Sequence, residues 1–382
     1  MIGNDKDQRA RFNQLIIFYA FFVWFVSFSK AVLPTHFLDE GLSLQQILLG
    51  VALGFVSQLI ILFALPLFIK KISSRLSWQI AIVSFLAYVF LVIKFNFAFQ
   101  FYVASFIGGF ATSFFYIFYN IAHFKLTPKE KVGHSSAIMF NIGPIVSIAA
   151  PLLAGILASQ SYYFIWVLVA IFFAGSFFLS RKQYDFKVNY NVRDALREIE
   201  ATRIFMFLQG VWEVMVFGII PVYTLFFIKN PLSYGTYLAY LSVIAVFANL
   251  FLGKFSDKIQ RRSFFLYPIT LLMAVLTFLF PFTTQNIILW IIITGALQLV
   301  MPIFWNFSTA LVIDAHKNVE YAMIVRELML TIGRVSGILL ALLSFSFERY
   351  PFYIFIVLGI VILAYPFNLF WRTKIAKSYS YL

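Results

Sequence analysis

Two ionisable side chains lie deep inside apolar sequence. Glu213 sits about ten residues into the run 203–228, and Arg334 is similarly deep in the run 323–346. At 1.5 Å per residue, Glu213 is roughly 15 Å along its helix. A charge at such depth is costly to bury and is a functional candidate by default. Three chemistries fit the pair. Glu213 can exchange a proton, modulated by Arg334 or by a cationic ligand. The two can form a permanent ion pair, in which the fixed guanidinium keeps the acid ionised. Either can touch a bound solute directly. Lys30, about 24 Å along the first run by the same rise, either snorkels towards Asp39 or Glu40 or marks the outer part of a cavity.

A second constellation is GKFSDKIQRR, Gly253 to Arg262, which packs four cations and one carboxylate between two apolar runs. Gly253 permits a tight turn and close helix approach. Asp257 falls near the start of the following helix, where a carboxylate can accept orphan N–H groups. Lys258 follows it, and Arg261 and Arg262 can reach a carboxylate at a neighbouring helix end, for which Asp314 is the candidate.

The elements that must position these groups follow from composition. The 382 residues are 62% hydrophobic and 12% charged, with 50 Phe, 20 Tyr and 7 Trp. A soluble domain is nearer half apolar and a quarter charged. Apolar runs of 18 or more residues recur along the whole chain and read as membrane helices. Twelve spans are expected, at 14–36, 44–69, 77–94, 97–123, 136–159, 162–180, 203–228, 235–252, 264–282, 286–313, 323–346 and 351–371. The first shows no small-residue cleavage site and is read as a retained span. With the N-terminus cytoplasmic, 24 of the 29 Lys and Arg fall in cytoplasmic loops and tails and three outside, with Lys30 and Arg334 inside spans. That bias is a positive-inside signal, predicting both termini in the cytoplasm and a plasma (inner) membrane protein. It also accounts for the +14 net charge without nucleic acid. Cysteine is absent, which excludes disulfides and thiolate metal sites.

The longest cytoplasmic loop divides the chain into a six-span unit 1–180, a linker 181–202 and a second six-span unit 203–382. In the linker, Val192, Leu196 and Ile199 have helical spacing, which predicts a short interfacial helix. The halves echo one another. Ile142-Gly143 aligns with Ile332-Gly333 at an offset of 190, and Pro34 near the end of span 1 matches Pro221 near the end of span 7. Internal symmetry of this kind marks carriers built from repeats, with the bound solute between them near the midplane.

GKFSDKIQRR resembles the loop motif of the major facilitator superfamily, G-x-L-x-D-[RK]-x-G-[RK]-[RK], with Gly253, Phe255, Asp257, Lys258, Arg261 and Arg262 fitting and Gln260 where the family prefers Gly. With twelve spans, in–in termini and a central loop, the resemblance covers the whole chain. It implies an all-α fold of two pseudo-symmetric six-helix bundles, a secondary active transporter working by alternating access, and a gating role for Asp257, Arg261 and Asp314. The first-half counterpart, LFALPLFIKK, keeps only Lys70 and Lys71, with Pro66 in place of the Asp. Glu327 is expected to cap its own helix and take over the lost acid's role. Ala150-Pro151-Leu152-Leu153-Ala154-Gly155, following Ile142-Gly143-Pro144, resembles a degenerate G-P-x-x-G-G signature of proton-coupled drug exporters, with Ala where Gly is usual. The same residues suit plain helix packing with a kink.

In that family spans 1, 4, 7 and 10 line the cavity. Tyr116, Tyr119, Asn120 and His123 share a face of span 4 by their spacing. Tyr116, Asn120, Trp24, Lys30, Gln209, Trp212, Trp305 and Asn306 make the candidate wall, suited to amphipathic or cationic organic compounds, and His123 is placed at the solvated cytoplasmic edge. The expected activity is proton-coupled export of small organic compounds. Proton-coupled import of a small metabolite is the alternative, as is a transporter-like sensor. The partners expected are a small-molecule substrate, protons and the bilayer, for a monomer with no cofactor. An enzyme is not expected. The four His are scattered with no pair at metal-ligand spacing, and no G-x-S-x-G, P-loop lysine or H-E-x-x-H occurs.

Overall fold

The computed structural model describes residues 5–31, 33–93, 96–127, 132–198, 200, 202–255, 262–283, 285–315, 318–345 and 351–371. These are helical almost throughout. The first six spans are α1 (Asp5–Lys30) continued by α2 (Leu33–Asp39), α3 (Leu44–Phe68), α4 (Ser74–Ile93), α5 (Ala98–Lys125), α6 (Val132–Gln160) and α7 (Tyr162–Arg181). After the short α8 (Val192–Glu198), the last six are α9 (Arg203–Val214) with its continuation α10 (Ile220–Tyr223), α11 (Pro231–Phe255), α12 (Arg262–Leu279), α13 (Ile287–Ala315), α14 (Val319–Phe345) and α15 (Ile354–Phe370). Eleven helices among the described residues are long and apolar enough to cross a membrane, and Ile354–Phe370 is a shorter apolar one. The chain is a multi-pass membrane protein.

Each set of six forms one bundle. α5 packs on α3 and α4 and α1 on α6 and α7, while α9 packs on α14 and α15 and α12 on α13 and α15. The bundles meet where α3 lies along α14 and α6 along α11. Aromatic rings fill the first bundle, as where Phe18 meets Trp78 edge-on at 5.4 Å between centroids and Phe25 meets Phe85 at 5.5 Å.

The repeat read from the two prolines has a local structural counterpart. Pro34 and Pro221 each occupy the second residue of a short helix, α2 and α10, that continues a span after an interruption. Proline is tolerated in a helix's first turn, where its missing N–H has no intrahelical acceptor. Ile142-Gly143 and Ile332-Gly333 behave differently. A Cβ on Gly143 would meet nothing within 4 Å, whereas one on Gly333 would collide with the carbonyl of Phe207.

The exporter-like stretch of α6 lies in the contact between bundles. A Cβ on Gly155 would come within 3.0 Å of the Pro231 carbonyl, and one on Gly235 of α11 would strike the carbonyl of Pro151. Here the small residues and the proline pack helix on helix.

The linker carries the expected short helix, α8, and docks on both bundles. Phe186 N–H donates to Ser74 Oγ at 3.1 Å, Arg75 donates to the Gln183 carbonyl at 2.8 Å, and Asp185 accepts from Ser74 Oγ at 3.2 Å and Arg75 N–H at 3.1 Å. α8 instead rests on α14, with Ala195 buried and the Tyr190 ring 6.0 Å from that of Tyr321. Partial burial pushes the Asp185 carboxyl up. The Arg75 N–H, the Ser73 and Ser74 hydroxyls and the Arg75 charge outweigh it and hold the group below its ordinary value. A carboxylate depressed on folding stabilises the native state above its unfolded pKa, and the contribution is lost as pH falls through the folded value. Asp185→Asn is therefore expected to lower the unfolding temperature at pH 7. The difference from wild type should shrink as pH drops below about 4, the ordinary range of an aspartate. A difference that stayed constant with pH would refute this.

Candidate functional site

The site begins with glycines. A Cβ on Gly210 would collide with the Leu330 carbonyl, one on Gly333 with that of Phe207, and one on Gly337 would come within about 2.5 Å of the Val211 carbonyl. Bare glycine therefore lets α9 and α14 lie backbone against backbone, as small residues do in membrane helix pairs. That approach brings Glu213, one turn past Gly210, beside Arg334, the neighbour of Gly333. Arg334 donates from Nε at 2.9 Å and from a terminal nitrogen at 2.5 Å to Glu213 Oε2. Gln209 at 2.7 Å and the Trp305 indole at 3.0 Å donate to the other oxygen. Glu213 is only 2% exposed, and both of its oxygens are engaged.

A π-helical turn, Met215–Ile219, follows directly. Such bulges are frequent at functional sites. It presents Phe217, which is 46% exposed, under the Arg334 guanidinium at 5.4 Å and stacked on Trp305 at 5.7 Å and 5°. Its neighbour Gly218 faces Val51 and Leu48 of α3 in the other bundle.

The charge chain continues along α14. Arg334 reaches Glu327 at 3.8 Å, Arg326 pairs with Glu327 at 2.7 Å and donates to Thr309 Oγ1 at 3.1 Å, and Asn120 of α5 donates to Glu327 at 3.4 Å. Two acids and two guanidiniums thus alternate, with no net charge. Pairing of this kind is what makes buried ions tolerable. Tyr116 meets the Tyr19 ring edge-on, at 6.4 Å between centroids. At the end of the molecule that carries the linker, Lys125 of α5 pairs with Glu320 of α14. The acids of α14 therefore touch the first bundle at two levels.

The structure brings Glu213, Arg334, Gln209, Trp305, Asn120 and Glu327 into one network and disperses other candidates, Tyr116 among them, which packs on the rings of Tyr19 and Phe115. Trp212 is fully buried and donates to Thr277 of α12 at 3.1 Å, so it belongs to its own bundle's interior. Asn306 is fully buried in α13. Trp24 stacks on Phe172 of α7 at 5.3 Å. Lys30 turns to α4, with Nζ 4.9 Å from the Phe85 ring and 5.7 Å from Tyr88, and not to Asp39 or Glu40. His123 is wholly buried, its Nδ1 3.5 Å from the Tyr119 hydroxyl, not solvated.

Glu327 does not cap its helix, because α14 begins at Val319, two turns earlier. Its neighbour Arg326 is buried for the same reason. In the charged stretch, Gly253 is helical within α11, which runs to Phe255. Asp257, Lys258 and Arg261 lie outside the described residues. Arg262 opens α12 and Asp314 belongs to α13, and their side chains lie outside the described ones. Phe217 and Arg326 escaped the sequence reading. The cluster Arg326-Glu327 inside the run towards Arg334 was the available signal for the second of them.

No protein-family model matches the chain, and no curated protein matches it in sequence. The fold has solved counterparts. A bacterial homologue of the iron transporter ferroportin, in the outward-facing state with soaked iron, superposes with a TM-score of 0.70 over 95% of this chain and 99% of that one, at 12% identity. A second structure of a bacterial ferroportin homologue, also outward-facing, gives 0.68 over 95% and 100%, at 13% identity. At that identity the likeness is one of fold. The chain has the twelve-helix, two-bundle architecture of the major facilitator type.

Proposed function

We propose that this protein is a secondary active transporter that exports small organic, amphipathic compounds in exchange for protons, by rocking its two bundles about a midplane site. One observation carries the proposal. The buried Glu213–Arg334 pair continues through Glu327 to Asn120 of the other bundle, so the charge state of one acid is tied to a contact between bundles. Glu213 accepts hydrogen bonds on both oxygens in this arrangement. A proton arriving there cancels its claim on Arg334, which is then drawn to Glu327, already 3.8 Å away. Glu327 in turn gives up its bond to Asn120, and the bundles lose one tie. The exposed Phe217 beside Trp305 supplies a stacking surface for an organic cargo. The two-bundle architecture supports a carrier and not an enzyme.

The iron named for the first structural neighbour belongs to that protein. Among the described residues no three His, Asp or Glu side chains are grouped to hold a metal, so iron(II) enters the test as one cargo among several. The test is proton movement in proteoliposomes carrying wild type or Glu213→Gln, read with an enclosed pH dye. The panel is ethidium, tetraphenylphosphonium and iron(II). Cargo-triggered proton flux in wild type alone supports exchange through Glu213. Equal flux in both proteins places the proton elsewhere and leaves the pair structural. Proton flux in the same direction as the cargo makes the protein an importer, and no flux with any cargo refutes the proposal.

A further inference from the structure

The chain of charges is saturated at one end and open at the other. Glu213 accepts on both oxygens, and its side chain is 3% exposed. Arg334 reaches it through Nε and one terminal nitrogen. The N–H groups of the other terminal nitrogen, Nη1, make no hydrogen bond among the described residues. Their nearest acceptor, Glu327 Oε2, is 3.8 Å away, beyond hydrogen-bond range. Glu327 is the mirror case. Its Oε1 takes Arg326 at 2.7 Å and Asn120 at 3.4 Å, while Oε2 faces only the distant Arg334. Both side chains are reachable, at 13% exposed for Arg334 and 16% for Glu327. Asn120 adds an unused acceptor. It is buried, and its Oδ1 has no hydrogen-bond partner, although such groups are nearly always paired. The exposed Phe217 ring lies 5.4 Å from the same guanidinium.

A loose ion pair with an unused donor on one side and an unused acceptor on the other favours a ligand that carries both charges. A lone cation here is repelled by Arg334, and a lone anion by Glu327. A zwitterion meets each with its opposite. We propose that the cargo of this site is a zwitterion, an α-amino acid with an aromatic side chain. Its carboxylate accepts from Arg334 Nη1, its ammonium donates to Glu327 Oε2 and Asn120 Oδ1, and its ring packs on the exposed surface of Phe217. The two charges of an α-amino acid hang on one carbon atom, so they suit two protein charges this close together. The assignment names the substrate class of the carrier proposed above and rests on that reading. It also gives the exchange a cause. A protonated Glu213 releases Arg334 to Glu327, which closes the gap that the cargo occupies. Proton and cargo then exclude one another.

The test is saturable stabilisation of the detergent-purified full chain by L-phenylalanine, phenethylamine and 3-phenylpropionate. The three share a ring and its two-carbon chain and differ in which charges they carry. Unfolding temperature is read against ligand concentration. Wild type is expected to bind each single-charge analogue about tenfold more weakly than L-phenylalanine, the effect of losing one hydrogen bond to a charged group. Glu327→Gln should erase the preference for L-phenylalanine over 3-phenylpropionate. Phe217→Ala, at an exposed position, keeps the fold should the Glu327 exchange not, and should weaken all three ligands alike. Either analogue binding wild type as tightly as L-phenylalanine overturns the proposal. So does the absence of saturable L-phenylalanine binding, or a Phe217→Ala protein with unchanged affinities. L-phenylalanine binding without proton flux in the proteoliposomes leaves the cargo assignment standing and refutes exchange. Proton flux with ethidium and no L-phenylalanine binding does the reverse.

Discussion

Arg334→Gln is expected to abolish transport and to lower the unfolding temperature of the purified protein more than any other single exchange in the charge chain. In the variant, Glu213 keeps Gln209 and Trp305 as donors but loses the cation that balances it, while remaining 2% exposed. Removing one partner of a buried ion pair costs about 3–5 kcal/mol, because the other charge is left uncompensated. Glu213→Gln is expected to cost less, since Arg334 retains Glu327 within 3.8 Å. The double variant Glu213→Gln/Arg334→Gln removes both charges and should recover most of the stability. The resulting double-mutant cycle isolates the pair's coupling, here expected at the upper end of the roughly 0.5–3 kcal/mol seen for contacting residues. Transport separates the two readings of the pair. A purely structural pair predicts that the neutral double variant regains transport with its stability. A pair that must open and close predicts a stable protein that does not move cargo. Thermal unfolding and proteoliposome flux on the same four proteins decide between them.

Much of the fold was legible because a membrane imposes a simple rule. Every backbone polar group must be bonded within its own segment, so length and apolarity alone mark the helices. Glu213 and Arg334 were legible for the same reason, since a charge at mid-depth in such a helix needs a partner of opposite sign. The facing of apolar side chains was not. A helix that is hydrophobic all round carries little periodic signal, and nothing in the sequence distinguishes Trp305, which bonds Glu213, from Trp212 of α9, which bonds Thr277. The error at Glu327 was one of helix start. Beginning span 11 at 323 put Arg326 and Glu327 at a membrane edge. Beginning it at Val319 puts them in the third turn, inside the network. The docking of the linker was not legible either, because its backbone and Asp185 bond to the start of α4, far away in sequence.

A backbone-to-backbone approach in the site yields the sharpest contrast in sign. Gly333→Ala adds a single methyl group, yet its Cβ would strike the Phe207 carbonyl and come within 2.6 Å of the Val211 nitrogen, both backbone atoms of α9. Backbone cannot rotate away as a side chain can, so α9 and α14 must separate. Overpacking of a tight contact costs typically 1–3 kcal/mol. Separation also lengthens the 2.5 and 2.9 Å bonds from Arg334, one residue on, to Glu213. Gly143, which sequence alignment pairs with Gly333, has nothing within 4 Å of its would-be Cβ. There alanine brings only its helix propensity, about 1 kcal/mol better than glycine. Gly143→Ala is therefore expected to leave the unfolding temperature unchanged or raise it, and Gly333→Ala to lower it. Gly210→Ala, which meets the Leu330 carbonyl from the other side of the same contact, should behave like Gly333→Ala. If the glycines act by holding the charge pair together, adding Arg334→Gln to Gly333→Ala costs less than Arg334→Gln alone, because residues in one contact are not additive. Full additivity would mean that the glycines and the ion pair stabilise the bundle independently, and that the close helix contact is not what positions Glu213.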